Sequence, residues 1–157
     1  ALSAFVAQNY AARKISRVMK ALKSTLYMTL VFGTLCSLLF IFYGNNVFAI
    51  FVPEKEAYEA GGLALRIDGY SQLFMMLEIV IQGVFYGMGR TIPPAIISIS
   101  CNYLRIPMAM LFVSFGWGLP GIWWTICLTS ILKGIIIFVW FLAIKKKTLD
   151  KLNDNTN

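Results

Sequence analysis

Along this chain, polar residues gather at intervals and leave long apolar stretches between them. From Thr25 to about Tyr43 no charged residue occurs. At about 1.5 Å of rise per residue, such a stretch can cross a hydrocarbon layer of about 30 Å as a helix. Three further stretches, at about 63–88, 92–114 and 121–144, predict helices of the same kind. Residues 1–9 (ALSAFVAQN) read as the tail of a preceding helix, and residues 10–23 as a basic loop or interfacial helix. Residues 44–62 are expected to form a loop, because Pro53, Gly61 and Gly62 fall there with Glu54, Glu56 and Glu59. Gly87-Met88-Gly89-Arg90-Thr91 predicts a tight turn. Pro93 and Pro94 follow where a helix starts, a place where a missing N–H costs little. Gly116-Trp117-Gly118-Leu119-Pro120 predicts the next reversal, and residues 145–157 (KKKTLDKLNDNTN) read as a disordered polar tail. The expected fold is an all-α membrane protein with four full transmembrane helices plus the end of an earlier one.

Composition supports lipid as the solvent. Hydrophobic residues make up 59% of the chain and charged residues 13%. Soluble domains carry about 25% charge to cover their surfaces. The net charge of +7 could suggest nucleic acid, but the basic residues cluster at the ends of apolar runs, which is the signature of membrane orientation. Arg13, Lys14, Arg17, Lys20, Lys23, Arg90 and the C-terminal lysines place ten of the 14 basic residues on one side of four spans. That side is expected to be cytoplasmic, with both ends of the chain there, in a multi-pass protein of the cell membrane. Trp117, Trp123 and Trp124 then fall near the outer boundary and Trp140 near the inner one. Ala1 opens the chain without an initiator Met, so the sequence reads as a fragment of a longer protein.

Catalytic chemistry has little to work with. Histidine is absent, and Cys36, Cys101 and Cys127 lie singly inside apolar runs. No disulfide framework, metal motif or nucleophile–base pair follows, and an enzyme is not expected. The informative residues are the ionised ones inside the spans, because a charge at the bilayer centre costs roughly 2.5–3.5 kcal/mol and so turns inward. Counted from the cytoplasmic ends, Glu78 lies roughly 15 Å deep, Arg105 roughly 20 Å and Lys133 roughly 16 Å. Polar neighbours extend each into a stripe: Ser71, Met75, Glu78 and Gln82; Ser98, Asn102 and Arg105; Ser130 and Lys133. Glu78 has two readings. It lines a cavity and exchanges a proton or meets a cationic substrate, or it forms a permanent ion pair with Arg105 or Lys133. Lys133 and Arg105 read first as structural. Arg66 and Asp68 belong near the outer interface. Gly83 and Gly87 form a GxxxG spacing that admits a close helix neighbour, and Pro107 loosens the third span locally.

The residues also carry a family resemblance. AFVAQNYAARKISRV resembles the segment that closes the second helix of each lobe in MATE (multidrug and toxic compound extrusion) transporters, with Ala11 where that family usually has Gly. VFAIFVPEKEAYEAGGLALRI resembles the family's outer loop, IQGVFYGMGRTIPPAIIS its Gly-rich turn, and NYLRIPMAMLF and GLPGIWWTICLTSILKG its last two helices. The resemblance implies a twelve-helix, two-lobed fold of which this chain forms part of the C-terminal lobe, residues 1–144, followed by a polar tail. It implies a secondary antiporter that exports cationic or amphipathic drugs in exchange for H+ or Na+, with no cofactor beyond that ion. Its implied partners are membrane lipid, the missing N-terminal lobe and small cationic substrates, without nucleic acid. Part of the family couples transport through an acidic residue on the corresponding helix. By the Gly83–Gly87 register that position is Met75, and Glu78 lies one turn further along the same face. Glu78, Gln82, Met75, Asn102 and Arg105 are therefore the substrate or cation candidates, and Lys133, Asp68 and Arg66 the structural ones. A lipid-linked oligosaccharide flippase of the same superfamily and an inactive truncated membrane protein are the alternatives.

Overall fold

Nearly every described residue lies in a helix, as long apolar runs require where backbone groups must be satisfied within their own segment. The computed structural model describes residues 2–52 and 54–154. Five α-helices follow in chain order: α1 (Leu2–Ala11), α2 (Ile15–Phe51), α3 (Lys55–Gly87), α4 (Ile92–Phe112) and α5 (Gly118–Asp154). A π-helical turn, Val113–Trp117, joins α4 to α5, and no strand occurs among the described residues. Two helical stretches are long and apolar enough to cross a membrane, Ile15–Phe51 and Ile92–Ile144. The second folds back on itself at Gly116, whose φ of 83° is open to glycine and costly for other residues.

Several boundaries differ from the sequence expectation. The loop expected over residues 44–62 is mostly helix. α2 bends at Tyr43 (φ −119°, ψ 16°) and then continues to Phe51, and α3 begins at Lys55. The cause is tertiary. A Cβ on Gly44 would lie 2.8 Å from the Gly62 carbonyl oxygen, and one on Gly62 would lie 2.6 Å from the Asn45 Cα. Residues that looked like loop punctuation are the small contacts that let two helices touch through their backbones. The basic segment expected over 10–23 divides at a turn around Arg13, and its second half is the start of α2. The tail expected to be disordered is helical as far as Asp154, in a segment free of Gly and Pro and rich in Lys and Leu. Residues 155–157 lie outside the described part. α4 runs without a break through Pro107 to Phe112.

The spatial order of the helices is not their chain order. α2 packs along α3, α3 along α5, and α5 along α4, while α3 and α4 barely meet. α1 lies in the groove between α2 and α3. Its docking on α3 uses Gly87, where a Cβ would sit 2.6 Å from the Ser3 carbonyl oxygen; Gly83 makes only ordinary contact with Leu2. The largest buried cluster lies at one end of the bundle. Val6 of α1, Val18 and Leu22 of α2, Val84 and Phe85 of α3, Ile97 of α4 and Phe141 of α5 meet there, with Phe85 and Phe141 edge to face at 6.0 Å. The outer surface is apolar. Tyr27, Phe42, Ile50, Phe51, Met110 and Phe115 are each more than two-thirds exposed. Such a surface is an aggregation hazard in water and an ordinary one in hydrocarbon.

Candidate functional site

α5 carries the centre of a polar network because its small and polar residues repeat along one face. Thr125, Thr129 and Lys133 follow at four-residue spacing, Ser130 lies beside them, and Thr125, Thr129 and Ser130 are buried. Gly134 brings this face against α3, since a Cβ there would stand 2.7 Å from the Phe74 carbonyl oxygen. At that separation Lys133 reaches Glu78, with Nζ 3.0 Å from Oε1. Gln82, one turn along α3, donates from Nε2 to the same oxygen at 2.7 Å. Glu78 itself is only 7% exposed. An ionised carboxylate so placed is tolerable because one oxygen accepts two hydrogen bonds, one of them from a cation.

Arg105 of α4 reaches the same polar face of α5, one turn from Lys133. Its Nε donates to Thr129 Oγ1 at 2.8 Å and its Nη2 to Ser130 Oγ at 3.1 Å. The Thr129 hydroxyl in turn donates to the Thr125 carbonyl at 2.8 Å, which turns its lone pairs toward the guanidinium. No carboxylate lies within 4 Å of Arg105 among the described residues. With Glu78 at −1 and Lys133 and Arg105 at +1 each, the three ionised groups sum to +1.

The remaining candidates sit elsewhere. Met75 faces Ser71, whose hydroxyl is 3.8 Å from the sulfur, and not the Glu78 carboxylate. Asn102 is exposed and makes no side-chain hydrogen bond to Arg105 among the described residues. Asp68 lies toward the other end of α3, with the Ser71 hydroxyl 3.1 Å from its Oδ1. Together with Phe48, Leu65, Trp123 and Ile126 it lines a groove of about 260 Å³. Arg66 is exposed, and its stem packs beside Gly44. In the same region Trp124 stacks on Tyr70 at 6.1 Å. The structure thus joins Glu78, Gln82 and Lys133, joins Arg105 to α5, and leaves Met75, Asn102, Arg66 and Asp68 apart from them. Thr129 and Gly134 are members that the sequence reading missed. The four-residue spacing from Thr125 to Lys133 was the available signal.

Over 118 residues the chain is 27% identical to a protein of Thermotoga maritima called "Probable multidrug resistance protein NorM", an alignment covering 74% of this chain and 25% of that protein. Over 133 residues it is 26% identical to "Protein DETOXIFICATION 34" of Arabidopsis thaliana, covering 83% of this chain and 24% of the relative. The chain therefore spans about a quarter of the length of these curated relatives. The model of the MatE family matches residues 1–111, which takes in α1, α2, α3 and most of α4. On that match, over well more than half of its length, this chain belongs to the MatE family.

Proposed function

We propose that this chain forms four membrane-crossing helices, with both ends cytoplasmic, in the C-terminal lobe of a secondary antiporter that exports cationic, amphipathic compounds in exchange for H+ or Na+. The observation that carries the reading is a buried carboxylate, Glu78, held by Lys133 of another helix within a MatE-family chain. An ionisable group inside a membrane is costly to bury, which makes it a candidate for an ion or substrate pathway. Protonation of Glu78, or approach of a cationic substrate, removes its attraction for Lys133. α3 and α5 are then free to shift against each other, which is the kind of two-state element that alternating access requires. Gln82 orients the carboxylate, and Arg105 holds α4 to the moving face of α5. The groove beside Asp68 pairs a carboxylate with Phe48 and Trp123, a lining that suits the substrate's charge and its apolar body.

The test is export of a fluorescent amphipathic cation from cells that carry the full-length protein. Glu78→Gln should abolish or strongly weaken export. The double variant Glu78→Gln/Lys133→Met removes the unpaired lysine and separates coupling from bracing. Export that stays lost in the double variant supports the coupling role; recovery of export there reduces Glu78 to a structural ion pair.

One observation favours a second reading. Arg105 has no carboxylate partner among the described residues, and the network sums to +1. A flippase for lipid-linked oligosaccharides would need such a cationic interior for its pyrophosphate. Lipid-flipping activity without drug resistance in the same cells would select it.

A further inference from the structure

We propose that the end of the molecule formed by the α1–α2 turn and the first turns of α2 is a binding surface for anionic phospholipid headgroups. The inference rests on the membrane placement proposed above and on no part of the transport reading.

The surface is cationic beyond what the fold needs. Arg13, Lys14, Arg17, Lys20 and Lys23 are all exposed, and no acidic residue occurs before Glu54. From Arg17 to Lys23 the helix rises about 9 Å. One turn beyond Lys23 the exposed apolar face begins with Tyr27 and Met28, which are 73% and 68% exposed. With that face in hydrocarbon, the cations lie at the depth of the lipid phosphates. Arg90, also exposed, lies on the α3–α4 turn at the same end, because the buried cluster joins the start of α2, the end of α3 and the start of α4.

Ordinary helix electrostatics explain only part of this pattern. Cations near a helix C-terminus are favourable, which accounts for Arg13 and Lys14 after α1 and for Arg90 after α3. The same dipole disfavours a cation in the first turn of α2, where Arg17 stands with no acidic residue, and Lys20 and Lys23 in the next turns have no acidic partner on their own helix. The two turns also close in the same way. At α3 the amides of Gly89 and Arg90 donate to the carbonyls of Tyr86 and Phe85; at α1 the amides of Arg13 and Lys14 donate to Tyr10 and Asn9. This cap needs a left-handed residue, normally glycine. α3 supplies Gly89 (φ 71°), whereas α1 places Arg13 there (φ 54°). A cation thus occupies a position where the backbone favours glycine. An anion supplied from outside the chain accounts for both departures, and in a membrane protein the anion at this depth is a lipid phosphate.

The experiment places the full-length protein in vesicles of equal parts phosphatidylglycerol and phosphatidylcholine, extracts it, and quantifies the retained lipid by mass spectrometry. The expected result is about threefold or greater enrichment of phosphatidylglycerol. It should fall by half or more in Arg17→Gln/Lys20→Gln/Lys23→Gln, where Arg13, Lys14 and Arg90 remain, and persist in Arg17→Lys/Lys20→Arg/Lys23→Arg. Enrichment should also decline as salt rises from about 0.1 M to about 1 M, a measurement on the unaltered protein that needs no folded variant. No enrichment in the wild type, enrichment indifferent to salt, or full enrichment in the glutamine variant overturns the proposal and leaves the basic cluster to set orientation alone. Failure of the protein to enter the vesicles overturns the membrane placement instead.

Discussion

Removing either partner of the Glu78–Lys133 pair should cost far more than removing both. At 3.0 Å, two unit charges attract by about 5.5 kcal/mol at an effective dielectric of about 20. The side chains of Lys133 and Glu78 are 13% and 10% exposed, so water screens the pair little. Glu78→Gln leaves Lys133 charged and facing a neutral amide, and Lys133→Met leaves the Glu78 carboxylate with Gln82 alone. Each single change should destabilise by about 3–5 kcal/mol, because an uncompensated buried charge remains. The double change removes both charges and fills the lysine's place with an apolar chain, which brings the loss to within about 1 kcal/mol of the wild type. The coupling energy, the two single losses less the double loss, is then about 5 kcal/mol or more. Denaturant unfolding of the full-length protein in mixed micelles, followed by tryptophan fluorescence, gives all four corners of the cycle. If the two single losses simply add, to within about 0.5 kcal/mol, the pair does not carry the energy argued for it.

Gly134→Ala should destabilise by about 1–3 kcal/mol, since its Cβ meets backbone at Phe74 and not a side chain that could turn away; the same unfolding measurement checks it, and an unchanged midpoint would contradict the close approach of α5 to α3. Arg13→Gly should stabilise the folded chain by about 1 kcal/mol through its left-handed backbone, while reducing phosphatidylglycerol retention. A loss of stability there would mean that the arginine side chain contributes more to folding than its backbone costs.

The ionised residues were the most legible part of the site. Glu78 and Lys133 stand out in the sequence because charge inside an apolar run has few inexpensive explanations, and the structure brings the two together. Asn102 shares a predicted stripe with Arg105 but is exposed, because a stripe fixes spacing and not which neighbour faces it. Thr129 signalled its role only through its four-residue spacing between Thr125 and Lys133. A threonine in an apolar helix satisfies itself on the carbonyl one turn back, and Thr129 does so while also accepting from Arg105. The extension of α2 beyond Tyr43 was hidden by Gly44, Gly61 and Gly62, which signal a loop unless the facing helix is known. The order α2, α3, α5, α4 departs from the tendency of consecutive elements to be neighbours, and no local pattern records it.

That order has a consequence for synthesis. α4 leaves the ribosome before the helix on which it depends. Arg105 precedes its acceptors Thr129 and Ser130 by 24 and 25 residues, an interval of about 1–5 s at ordinary translation rates. In the membrane placement proposed above, α4 would enter the bilayer during that interval with its guanidinium unsatisfied, against a penalty of roughly 2.5–3.5 kcal/mol. α4 and α5 are therefore expected to pass from the translocon as one hairpin, with the guanidinium kept in water until the hydroxyls arrive. Released chains that end just before Thr129 should leave a glycosylation tag in the α4–α5 turn unmodified, and efficient modification of them would show that α4 inserts alone.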